Sequence, residues 1–207
     1  MGLSIGIVGL PNVGKSTLFN ALMGKAQAAA SNFPFCTIEP NIGAVPVPDP
    51  RLEVLAKLEK SERIIPTAVE FVDIAGLVKG ASEGQGLGNQ FLGHVRGCDA
   101  IIEVIRMFSD TNVIHVSGAV NPKEDVATIS TELLLADMQA LEKRVGREAK
   151  EAKTDAKLQP RVEFLRKVKA HIDAGQPART FAASDEEKIW LKELCLLTSK
   201  PILYVAN

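Results

Sequence analysis

The segment Gly9-Leu-Pro-Asn-Val-Gly14-Lys15-Ser16 lies between an apolar run at 5–8 and a helix-forming stretch at 17–23. Two glycines, a lysine and a hydroxyl at this spacing constrain the fold, because such a loop works only where a strand ends and a helix begins. The glycines let the backbone curl until successive N–H groups point at one anion, and the helix that follows adds the positive end of its dipole. Lys15 then reaches β- and γ-phosphate oxygens, and the Ser16 hydroxyl takes a place on Mg²⁺. Asn12, Val13, Gly14 and Thr17 complete the cradle. The segment therefore predicts binding of a nucleoside triphosphate.

Four β-branched apolar runs, at 3–8, 68–72, 100–105 and 202–206, read as buried strands separated by helical or glycine-rich sequence. The expected fold is α/β, a mostly parallel sheet wrapped by helices. A further strand at 42–47 ends at Pro48 and is placed antiparallel beside 68–72.

After Pro122 the pattern changes. Leu134, Met138, Leu141 and Val145 step at helical spacing, and Val162, Leu165, Val168 and Ile172 do so again beyond a polar piece at 150–160. This predicts an inserted helical hairpin at 122–174, packed on itself, in a nucleotide domain made of 1–121 and 175–207. Between 141 and 170 there are 10 Lys/Arg against 5 Asp/Glu, leaving 14 against 20 elsewhere in a chain of net charge -1. That basic flank is open to two readings, a solvated face or a docking surface for RNA or an acidic partner. Cys36, Cys98 and Cys195 have no metal-ligand spacing and no disulfide pattern, and no run approaches the about 20 apolar residues that span a bilayer. A soluble chain in a reducing cytoplasm is expected. Position 6 is Gly where an N-myristoylation signal has Ser or Thr, which argues against that modification at Gly2.

Glu70-Phe-Val-Asp73-Ile-Ala-Gly76 puts an Asp at the end of a predicted strand with Gly three residues on. From there a carboxylate holds Mg²⁺ through a water while the Gly76 N–H senses a γ-phosphate. The run 76–88 carries five glycines in thirteen residues and is expected to be a switch. Between the two motifs, Thr37 in Asn32-Phe-Pro-Phe-Cys-Thr37-Ile-Glu-Pro-Asn is either a second hydroxyl for Mg²⁺ or a turn hydroxyl.

With these three motifs in order, the chain resembles the YchF subfamily of Obg-like P-loop NTPases over essentially its whole length. The likeness extends to Ile114-His115-Val116-Ser117-Gly118, to Val120-Asn121-Pro122 and to the hairpin. It implies a translation-factor class NTPase that associates with ribosomes and hydrolyses ATP in preference to GTP. Family members continue with the rest of the nucleotide domain and a carboxyl-terminal TGS domain, neither of which is in this sequence. Asn207 aligns with the first residue of the base-reading motif, so the residue that separates adenine from guanine lies beyond it.

Hydrolysis also needs a positioned water. The Gln that usually follows Asp-x-x-Gly is Leu77 here, which forms no hydrogen bond to water. His115, beyond the loop at 107–112, is the internal candidate to orient or deprotonate that water; a purely structural histidine is the other reading. Asn12 is a candidate to hold K⁺ between the β- and γ-phosphates. Cys36 sits beside Thr37, where oxidation would disturb magnesium, though a small buried hydrophobe is the plainer role.

Overall fold

The computed structural model describes residues 2–30, 38–39, 41–74, 87–110, 112–115 and 118–207, with side chains at 25–30, 38–39 and 87–91 outside the description. Strand β1 (Leu3–Val8) runs into helix α1 (Lys15–Ala30), followed by β2 (Ile38–Glu39), β3 (Ile42–Pro46) and α2 (Pro50–Glu59). Then come β4 (Ala68–Asp73), α3 (Leu87–Gly97), β5 (Ala100–Ile105), α4 (Pro122–Glu151), α5 (Gln159–Asp173), α6 (Asp185–Glu193) and β6 (Ile202–Ala206). The strands form one sheet in the order β2-β3-β4-β1-β5-β6. The four predicted runs pair in parallel, and β3 pairs antiparallel with β4 as expected.

The central strands β1 and β5 are the apolar ones because both their faces are covered: Ile7, Val8, Ile101 and Val104 are almost fully buried. Expectation and structure part at β4, where no residue is fully buried, and at β6, an edge strand on which Leu203 and Tyr204 are exposed while Ile202 and Val205 rest on the core. Helix α1 buries Phe19 and Met23, four residues apart on one face. Met23 fills the space that a side chain at Gly43 would need, which seats α1 against β3.

The hairpin is present, but its first helix does two jobs. Helix α4 is 30 residues long, about 45 Å at the usual rise, and outreaches the sheet. Ile129, Leu133 and Ala136 near its start pack in the sheet's core, whereas Leu141 joins Phe164, Leu165, Val168 and Ile172 of α5 in a second core. The hairpin is thus not packed only on itself; it is continuous with the nucleotide domain. Asn121 caps α4 and Pro122 takes its first turn, where a missing N–H costs nothing. Where the two cores meet, the buried Asp137 carboxylate accepts from Leu197 N, Thr198 N and Thr198 Oγ at 2.7–2.8 Å. Further out, Glu148 is clamped by Arg144 and Arg161, and Arg161 also reaches Glu193.

Candidate functional site

Between β1 and α1 the chain makes the curl that the sequence predicts. Gly9 and Gly14 take φ of 150° and 98°, and Asn12 sits at 61°, a left-handed value that Asn tolerates. At Gly9 a Cβ would lie 2.6 Å from the Val104 carbonyl oxygen of β5, and at Gly14 it would collide with the side-chain amide of Asn207. Both positions exclude a side chain for reasons set by neighbouring strands. The Leu18 N–H bonds the Gly14 carbonyl at 2.9 Å and starts the helix, so the preceding amides have no intrahelical acceptor and are available to an anion.

Lys15 is 8% exposed, and among the described residues its Nζ has one hydrogen-bond partner, the Leu10 carbonyl oxygen at 2.8 Å. Burial pushes its ammonium pKa down, and the Asp73 charge opposes that push. A buried ammonium with donors to spare is poised for an anion. Next to it, the Ser16 hydroxyl donates to Asp73 Oδ2 at 2.7 Å, which joins the two chemical motifs across 57 residues. The parallel register that pairs Ile7 with Asp73 makes this contact possible, since both strands end at the same edge. Thr17 is exposed on the first turn and Val13 is buried beneath the loop.

Asn207 closes the opposite side. Its N–H bonds the Ile105 carbonyl at 2.9 Å, its carbonyl accepts from Met107 N at 2.7 Å, and its side-chain amide donates to the Val13 carbonyl at 2.8 Å. The end of β6 is therefore fastened to the phosphate loop. Thr37, Cys36, Gly76 and Leu77 lie outside the described residues.

The structure brings Asn12, Lys15, Ser16, Asp73 and Asn207 together, and places His115 differently from the rest. Asn12 donates to the carbonyl of Ile114 at 3.1 Å, so the backbone just before His115 touches the phosphate loop. The imidazole is buried, its side chain 4% exposed, and pairs through Nε2 with Asp125 Oδ2 at 3.1 Å. Sequence reading missed Asp125, which in the first turn of α4 looks like an ordinary dipole-favoured acid. It also passed over Glu103 and Arg106, whose presence in and just after an apolar strand was the available signal. Arg106 donates to the carbonyls of Phe108, Asp110 and Val113 and lies over the Phe108 ring, so it shapes the loop that leads to His115.

No helix among the described residues is long and apolar enough to cross a membrane. A family model described as a 50S ribosome-binding GTPase matches residues 4–139. The chain is 55% identical over 208 residues to a Bacillus subtilis protein named ribosome-binding ATPase YchF, and 54% identical over 210 to one of the same name from Escherichia coli O157:H7. Each match takes in 100% of this chain and 57% of the relative, so the chain spans little more than half their length. The solved structure of a YchF GTPase from Schizosaccharomyces pombe superposes with a TM-score of 0.83 at 39% identity, over 100% of this chain and 56% of that one. Loop, sheet order and sequence agree, and the chain belongs to the 50S ribosome-binding GTPase family, in its YchF branch.

Proposed function

We propose that the chain binds and hydrolyses a nucleoside triphosphate with Mg²⁺, prefers ATP to GTP, and serves as a nucleotide-controlled switch on the ribosome in the cytoplasm. The observation that carries this reading is the buried Lys15 ammonium, held by one carbonyl beside the Ser16–Asp73 pair. On triphosphate binding Lys15 exchanges the Leu10 carbonyl for phosphate oxygens, a stronger acceptor for a desolvated cation. The hydroxyl and carboxylate oxygens of Ser16 and Asp73 suit Mg²⁺ and would hold it, Asp73 through a water, with Thr37 as the sequence-based third donor. Bound there, the ion neutralises charge that builds on the phosphate oxygens. Asn12 remains the candidate for K⁺, which its side-chain oxygen would hold, since the Nδ2 group is the one that donates to Ile114.

Preference for ATP leans on the names of the bacterial relatives. The ribosomal partner leans on those names and on the hairpin's charge. Arg144, Arg147, Arg161 and Lys169 are occupied by carboxylates. Lys143, Lys150, Lys153 and Lys157, around the turn between α4 and α5, are exposed and have no ion pair among the described residues, which suits a phosphate-rich surface. His115 is the proposed residue to orient the attacking water. Its burial in this structure, together with Leu77, favours a second reading in which the chain is a weakly hydrolysing adaptor. Competition of ATP and GTP for binding to the full-length protein, which carries the base-reading residue beyond Asn207, followed by single-turnover hydrolysis with and without ribosomes, tests both. Tighter GTP than ATP binding refutes the base preference, and turnover that ribosomes leave unchanged refutes the switch.

A further inference from the structure

The two residues Ile114 and His115 are held from opposite directions. Arg106 fixes the loop as far as Val113 through three carbonyls. Asn12 of the phosphate loop then grips the Ile114 carbonyl, and Asp125 of α4 grips the His115 ring. Both members of the His115–Asp125 pair are buried, with side-chain exposures of 4% and 6%. A ring in that position does not contact solvent water, yet its backbone is one residue from a loop atom that a triphosphate would reorganise. We propose that Asp125 is a positioning residue that stores the His115 ring under the start of α4, and that the Asn12–Ile114 contact couples this storage to the occupancy of the phosphate loop.

The coupling follows from which groups compete. The Asn12 side-chain amide lies at the mouth of the anion site, exposed, with a single carbonyl as its partner among the described residues. A triphosphate brings anionic oxygens that compete for that N–H far better than one neutral carbonyl does. Once Asn12 turns to them, Ile114 loses its hold and the strain of re-aiming the loop falls on the His115–Asp125 pair. The ring is then exchanged from a buried carboxylate to the solvent side. The storage itself is independent of what the nucleotide site does; only the release rests on the triphosphate reading given above.

Carbethoxylation of histidines by diethylpyrocarbonate, followed residue by residue by mass spectrometry, reads the ring's accessibility without any appeal to turnover. In the nucleotide-free protein His115 should react at least about tenfold more slowly than exposed His94, the scale on which a buried charge-assisted hydrogen bond suppresses opening. Asp125→Asn should raise the His115 rate by about the same factor while His171 in α5 is unchanged, and Asp125→Glu should restore part of the protection. Adding a non-hydrolysable ATP analogue with Mg²⁺ should raise the wild-type rate, and Asn12→Ala should raise it with no nucleotide present. Since Asn12 is exposed and outside both cores, that variant keeps the test alive if Asp125 variants fail to fold. An unchanged His115 rate in a folded Asp125→Asn protein overturns the storage. An analogue that binds by calorimetry yet leaves the rate unchanged overturns the coupling. An analogue that does not bind overturns the triphosphate reading and the coupling with it, while the Asp125→Asn result still decides the storage.

Discussion

Glu103 should make this protein less stable as pH rises through neutrality, and its replacement by Gln should abolish the effect. The residue sits within β5, 1% exposed, and its Oε2 has no hydrogen-bond partner among the described residues. Loss of solvation pushes the carboxyl from an ordinary 4.5 up to about 7; the Arg179 charge works against that and the Asp125 charge adds to it. Between those two values the folded protein keeps a proton that the unfolded chain has released. Because the folded state binds more protons in that window, stability is fully present below about pH 4.5 and falls as pH rises towards and past 7. At about 1.4 kcal/mol per pH unit the whole span is worth about 3 kcal/mol, a substantial part of a typical domain's stability. Glu103→Gln keeps the side chain's shape and removes the titration, adding at most an offset that is constant with pH. Urea unfolding followed by circular dichroism at pH 5, 6, 7 and 8 gives the difference between variant and wild type directly. It should grow by about 2 to 3 kcal/mol across the series in favour of the variant, because part of the span lies below pH 5. Parallel stability curves would refute the assignment, and a difference that shrinks with pH would reverse its sign.

Four other outcomes follow from the same structure. Asp137→Ala strips an acceptor from Leu197 N, Thr198 N and Thr198 Oγ, and should cost about 3 kcal/mol in denaturant unfolding, more than an exposed acid such as Asp185 costs. Gly9→Ala sets a Cβ against the Val104 carbonyl and should weaken triphosphate binding at least about tenfold by calorimetry, a misplacement worth some 1.4 kcal/mol. His115→Ala should retain nucleotide binding and lose most of its turnover; full turnover would take His115 out of the mechanism. Turnover should be faster in K⁺ than in Na⁺ buffer, with the difference lost in Asn12→Ala, and equal rates in the two salts would count against Asn12 as a K⁺ ligand.

Much of the fold was legible because it is written in local pattern. The four parallel strands announce themselves as short apolar runs between breakers, and the phosphate loop needs only residues within eight positions to be recognised. Strand burial was read less well, since Leu203 and Tyr204 have the composition of core residues and their exposure depends on what lies over the sheet edge. The hairpin's periodicity was clear, but that α4 serves two cores shows only when Leu133 and Leu141 are seen against different partners.

By itself the sequence determined the parts whose physics is local: a curled glycine loop ahead of a helix, strands and helices at their own periods, and an acid at a strand end aimed at the loop's edge. Tertiary structure decided which distant groups share a low-dielectric space. That Asn207 fastens onto Val13 and that His115 is held by Asp125 are consequences of strand order and helix seating. Spacing along the chain carries no trace of such meetings, because a hydrogen bond or a displaced pKa depends on distance and solvent exclusion, and both are set only when the sheet closes.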